Sequence, residues 1–152
     1  MFYSLKEGMN QNDFDKLNRC AIGNLRKTSR AATLYGDTIL QPTGLKITQF
    51  TMLGAIAEQG SLSVSQLGVK LLMDQTSVTR SLKLLKNQGL VTSARGQDGR
   101  TRLISLTDQG HRKLDEIMPL WEKTNTQIVA KLGQDHLKLL LEELALVNSL
   151  LR

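Results

Sequence analysis

The chain has 152 residues, 40% hydrophobic and 22% charged, which suits one globular domain with its own core and excludes long disorder. An aromatic content of 4% argues against a stacking platform for single-stranded nucleic acid. A net charge of +6 and a pI near 9.7 fit a polyanionic partner, and the lone cysteine excludes an internal disulfide or a cysteine-rich zinc site.

The opening MFYSLKEGMNQND lacks the apolar core of a signal peptide, and no apolar run reaches membrane-spanning length, so a cytoplasmic protein is expected. From about Asp13 to Leu40, Leu17, Ala21, Leu25, Thr28, Ala32, Tyr35 and Ile39 recur at three or four and predict one long helix, ended by Pro42 and Gly44. Cys20 falls on it and reads as a small buried packing residue. A second helix is expected from Thr48, its cap, to Gln59, with Phe50, Leu53 and Ile56 or Ala57 inward and Gly60 at its end.

Ser63 and Gln66 form a capping box for a third helix carrying Leu67 and Leu71. Asp74 caps a fourth, Gln75 to Gln88, with Val78, Leu82 and Leu85 as its buried stripe and Gly89 as its stop. Residues 90–94 and 102–106 read as short strands around a glycine-bearing turn. Two short helices followed by a ribbon with a basic tip make a winged helix-turn-helix, with one helix for the DNA major groove and a loop beside it. Charge follows the same division. Residues 1–73 carry eight Lys/Arg against five Asp/Glu, residues 74–107 six against two, and residues 108–152 six against seven. The densest positive excess sits on the reading helix and wing, where phosphates would be neutralised.

Thr107 is a further cap, opening a long helix with Leu114, Ile117, Met118, Trp121, Ile128 and Leu132, in which Pro119 should kink rather than terminate. A last helix, Gln134 to Leu151, is rich in leucine. Apolar faces at both ends of the chain exceed what one small winged helix covers, so a second copy should bury them. The expected organisation is a helical dimerisation region, 1–46 with 108–152, around a DNA-binding domain, 47–107. A dimer would read a palindrome, its two reading helices about 34 Å apart.

On the fourth helix, Gln75, Thr76, Ser77 and Arg80 are the expected base-proximal residues, because Gln pairs with adenine and Arg with guanine through two bonds each. Thr79 and Lys83 are expected on phosphate. In the wing, Arg95, Arg100 and Arg102 supply cations, with Arg100 placed for a narrow minor groove. Asp98 would hold one arginine (Arg100, Arg80 or Arg95) through a charge-assisted bond. Ser63 and Ser65 stand at a helix start and are candidates for phosphate contacts or simple capping.

The phrase GLKITQF, the run DQTSVTRSLKLLKNQGLV and the wing RGQDGR followed by ISLTDQG resemble MarR-type transcriptional regulators from about Leu17 onward. The resemblance implies a mainly α fold with a small β-wing: about six helices, a two- to three-stranded wing and an obligate-type helical homodimer. It also implies a double-stranded DNA partner. No nucleophile–base spacing, Gly-rich phosphate loop or paired carboxylate stands out in the sequence, so neither enzymatic activity nor a cofactor is expected. Members commonly repress neighbouring genes and release DNA when a small, often aromatic or anionic, ligand binds or a cysteine is oxidised. A ligand cleft is expected among Arg26, Arg30, Tyr35, Phe50 and Met52, and Cys20 is the candidate for redox sensing. The register of Cys20 differs from that of the peroxide-sensing branch, which expects an aromatic residue where Asn24 stands. His111 and His136 lack a third ligand at metal spacing. The competing function class is a winged-helix adaptor that binds protein and no specific DNA.

Overall fold

The computed structural model describes residues 11–97 and 99–151. Helices α1 (Gln11–Asn18) and α2 (Ala21–Leu40) stand where one helix was expected. The break lies at Arg19 and Cys20; Cys20 is extended and N-caps α2 through its backbone alone. Asn24 bridges the gap, its side-chain amide donating to the Asn18 and Cys20 carbonyls at 2.9 and 3.0 Å. The apolar period runs through the break undisturbed, so periodicity alone cannot detect it.

A short 3-10 turn (Gln41–Thr43) with Pro42 at its start and Gly44 at φ 75° ends this segment as expected. Helix α3 (Ile47–Gln59) begins one residue early, and Thr48 is not its cap. Instead the Gln49 side-chain oxygen accepts from the Lys46 N–H at 2.8 Å, and Asp37 of α2 accepts from the Ile47 N–H at 2.8 Å. The Ile47 amide holds the Asp37 carboxyl below its ordinary range, aided by the Lys46 ammonium at 3.2 Å and opposed by partial burial. Gly36 makes the joint tight, because an added Cβ would meet Ile47 Cγ1 at 2.8 Å.

Strand β1 (Leu62–Ser63) leads into α4 (Val64–Leu71). The capping box holds: Gln66 N–H donates to Ser63 Oγ at 3.1 Å, and Ser63 N–H donates to Gln66 Oε1 at 2.8 Å. Helix α4 ends in a chain reversal closed by Met73 N–H on the Gly68 carbonyl at 2.9 Å. Leu72 stands in the left-handed region there (φ 52°), the one such non-glycine among the described residues. For an L-residue with a Cβ that conformation costs about 1–2 kcal/mol.

Helix α5 (Gln75–Asn87) buries Val78, Leu82 and Leu85, leaves Leu84 half-exposed, and stops at Gly89 with φ 71°. Strands β2 (Val91–Arg95) and β3 (Arg102–Leu106) pair antiparallel from Val91↔Leu106 to Arg95↔Arg102. β1 adds to the other edge of β3, with Leu62 opposite Ile104. Thr107 then ties sheet to helix: its hydroxyl donates to the Gly89 carbonyl at 2.6 Å and accepts from Gly110 N–H at 3.0 Å. It caps α6 (Asp108–Leu132), which Pro119 does not end; α7 (Gln134–Leu150) follows after Gly133.

The core runs from Leu40 to Ile117, with Met52, Leu53, Ile56, Leu67, Val78 and Leu85 at no exposure. It joins the end of α2, the reading head and the first half of α6. Beyond it the packing stops. α7 buries no residue in the protomer, and Leu139, Leu140, Leu141, Leu144, Leu146, Leu150 and Leu151 are exposed, as are Leu17, Ile22, Leu34 and Tyr35. No described helix is long and apolar enough to cross a membrane.

Candidate nucleic-acid interface

Burial of Val78, Leu82 and Leu85 rotates the rest of α5 outward, leaving Gln75, Thr76, Thr79, Arg80 and Lys83 exposed along one side. Asp74 fixes the start of this helix by accepting from the Ser77 amide at 2.9 Å and the Ser77 hydroxyl at 2.7 Å. These bonds, the hydroxyl first, hold the Asp74 carboxyl below its ordinary range. Ser77 is half-buried with its hydroxyl proton committed to the cap, so it has only acceptor lone pairs to offer a base.

In the wing, Gly96 N–H donates to the Thr101 carbonyl at 2.8 Å and Gly99 N–H to the Gly96 carbonyl at 2.9 Å, closing the tip above the Arg95↔Arg102 pair. Gly99 has φ 66°, a position that needs glycine. Arg95, Arg100 and Arg102 are all exposed. Asp98, the expected arginine holder, lies outside the described residues. No ion pair among the described residues engages Arg80, Lys83, Lys86, Arg95 or Arg102. Cations left without carboxylate partners on one surface produce a positive field there.

Helix and wing meet in a groove of about 320 Å³, floored by Val64, Leu82, Val91 and Ile104 and edged by Thr79, Lys83, Lys86 and Arg102. Lys86 was missed from the sequence, although it follows Lys83 by three on the same side of the helix. A second recess brings Ser63, Ser65 and Gln66 beside Gly96, Gln97 and Thr101 at the base of the wing. Ser63 is occupied as a cap, leaving Ser65 as the freer hydroxyl.

Comparison with known proteins agrees with this geometry. A MarR family model matches residues 43–101, the reading head and most of the wing. The organic hydroperoxide resistance transcriptional regulator of Bacillus subtilis (strain 168) is 33% identical over 103 residues, 66% of this chain and 70% of that protein. The chain belongs to the MarR family. It is therefore a winged helix-turn-helix transcriptional regulator and not an enzyme. Among solved structures, the M. tuberculosis transcriptional regulator MosR in complex with DNA superimposes with a TM-score of 0.74 at 28% identity, covering 88% of this chain and 98% of that one. The S. aureus MepR–DNA complex, at 17% identity and a TM-score of 0.75 over 88% of this chain and 97% of that one, shares the fold.

The expected ligand lining of this MarR-family chain does not come together. Tyr35 borders a chamber of about 300 Å³ between α2, α3 and α6, with Ser29, Gly36, Ile47, Thr51, Trp121 and Asn125. Arg26 and Arg30 line a separate shallow recess on α2 with Leu25 and Ser29. Phe50 and Met52 are buried in the core, and Phe50 reaches the chamber only by packing on Trp121, ring centroids 5.3 Å apart. The helical spacing contains the reason: Arg26 and Tyr35 are nine residues apart, about 900° of rotation, hence on opposite sides of α2. Trp121 and Asn125 were missed as lining because their own helix was read only for core contacts. Cys20 corrects a second expectation, since its thiol is exposed at the α1–α2 break rather than buried in a helix face.

Proposed function

We propose that the chain acts as a homodimeric repressor that binds a palindromic operator and is released by a small aromatic or anionic ligand. The observation that carries the DNA-reading assignment is the row of exposed polar and cationic side chains on α5 beside a wing that presents Arg95 and Arg102, neither engaged by an ion pair among the described residues. In this reading Gln75, Thr76 and Arg80 contact bases, Thr79, Lys83, Lys86 and Ser65 contact phosphate, and Arg100 enters the minor groove. Residues 47–107 form the DNA-binding unit, and residues 1–46 with 108–152 pair with a second copy. The exposed leucines of α7 support that pairing, because an amphipathic helix gains most of its stability from a covered face.

The MosR–DNA complex supports the DNA partner by likeness. Gel-shift titration of duplexes enriched from a random pool tests the reading. Specific, salt-dependent binding lost in Arg80→Ala is expected; salt-dependent binding with no sequence preference would leave the adaptor class standing. The effector site in this reading is the α2–α3–α6 chamber, whose mostly apolar lining, with Tyr35, Trp121, Thr51 and Asn125 but no cation, suits a small aromatic ligand that hydrogen-bonds to hydroxyl and amide groups. Trp121 is the chain's one tryptophan, so its fluorescence reports occupancy. No change in emission or melting temperature at millimolar phenols or aromatic acids would remove the effector from this chamber.

One observation favours a second trigger. Cys20 is exposed, and the 33%-identical relative is a regulator of organic hydroperoxide resistance. Oxidation of that thiol by a peroxide would release DNA from the wild type and leave Cys20→Ser bound. Equal release in both proteins would exclude the cysteine.

A further inference from the structure

Leu72 occupies the backbone position in the reading head that least suits it. Its φ of 52° and ψ of 42° lie in the left-handed region, which glycine enters without steric cost. The turn requires that conformation, since it lets Leu71 and Met73 pack against the core while the chain reverses between α4 and α5. It does not require a leucine. The residue is 59% exposed, so little burial compensates the backbone strain. Strain kept without a packing return points to a contact outside the protomer.

The position says which contact. Leu72 is two residues before the Asp74 cap and three before Gln75, the first residue of α5, so it stands at the entrance of the reading helix. It follows the last turn of α4, whose outer side carries Ser65 and Val69, and Val69 is 69% exposed. In a helix-turn-helix the N-terminal end of the second helix faces base edges while the first helix crosses the backbone. An exposed branched aliphatic group at that entrance matches the C5-methyl of thymine, the apolar mark in the major groove.

We propose that Leu72, backed by Val69, is a specificity-determining residue that reads a thymine methyl group next to the base contacted by Gln75. This rests on the DNA-reading assignment made above. It adds an apolar element to a contact surface otherwise polar and cationic.

Duplexes enriched from a random pool by the wild-type protein provide the probe, with each thymine replaced in turn by deoxyuridine, which lacks only the methyl group. One symmetry-related thymine position should weaken wild-type binding about threefold to tenfold on replacement, the loss of roughly one or two buried methyl groups. Leu72→Gly and Leu72→Asn, both suited to the left-handed turn, should bind the thymine duplex with the same loss and no longer distinguish deoxyuridine. Their melting temperatures should equal or exceed the wild-type value. Wild-type affinity in both variants, or an undiminished response to deoxyuridine, would overturn the proposal. So would a clear drop in melting temperature, which would make the leucine structural. Arg80→Ala separates the levels: if neither it nor Leu72→Gly affects binding, the DNA-reading assignment fails; if only Arg80→Ala weakens it, the Leu72 proposal alone fails.

Discussion

Replacing Arg95 and Arg102 together by glutamine should weaken DNA binding without lowering stability. The two face each other directly across β2 and β3, and no ion pair among the described residues engages either. Like charges in that register repel, by about 0.2–1 kcal/mol for a cross-strand pair. Removing them should therefore leave melting unchanged or slightly raised. If each arginine neutralises one phosphate, a dimer loses four contacts, and the slope of log K against log salt flattens by about 3.6. Between 50 and 200 mM salt the wild type would then lose about 150-fold more affinity than the double variant. Fluorescence anisotropy on one enriched duplex across that range reads the slope, and thermal melting reads the stability. Equal slopes for the two proteins would show that the base of the wing does not touch the backbone. A marked fall in melting temperature would show that the pair is held by a compensating anion.

Arg100→Ala should weaken operator binding by about 1–3 kcal/mol with melting and dimerisation preserved; unaltered titration curves would remove Arg100 from the site. Gly110→Ala should destabilise strongly and lower the yield of folded protein, because a Cβ there would overlap the Leu90 carbonyl, a backbone atom with little room to move; a wild-type urea midpoint would refute that contact. Asp37→Asn probes the α2–α3 joint. Its carboxyl lies below the ordinary value of 3.8, so its ionised form stabilises the fold above that value, and the contribution fades as pH falls through the lowered pKa. The variant should be less stable than wild type at neutral pH, with the gap closing below about pH 4. A gap independent of pH would mean that the charge contributes nothing there.

Much of the reading head was legible because its signals are local. Ser63 with Gln66, Asp74 and Thr107 cap the helices expected of them, and Gly89 stops α5 where its sequence position says it should. Pro119 sits inside α6 because the apolar pattern resumes beyond it. The misreadings share another cause, a partner distant in sequence or an unregistered rotation. Thr48 has the chemistry of a cap, but Gln49 takes the Lys46 N–H and Asp37 takes the Ile47 amide from ten residues away. The α1–α2 break depends on Asn24 folding back onto Asn18, which no periodicity records. The proposed ligand lining mixed both sides of α2 with two core residues, whereas the α6 lining of the chamber becomes visible only once α2, α3 and α6 are packed together. Leu72 carried no sequence signal, because a leucine between Leu71 and Met73 reads as more core until its backbone angles are known.

The central claim, that a dimer reads a palindrome through α5 and the wing, has one most direct test. Duplexes from a random pool, selected by the wild-type protein and footprinted, should yield an inverted repeat with half-site centres about 10–10.5 base pairs apart, protected by two protomers. Arg80→Ala should lose the enrichment. A single unrepeated half-site occupied by one protomer, or no enriched sequence at any salt concentration, would contradict the account.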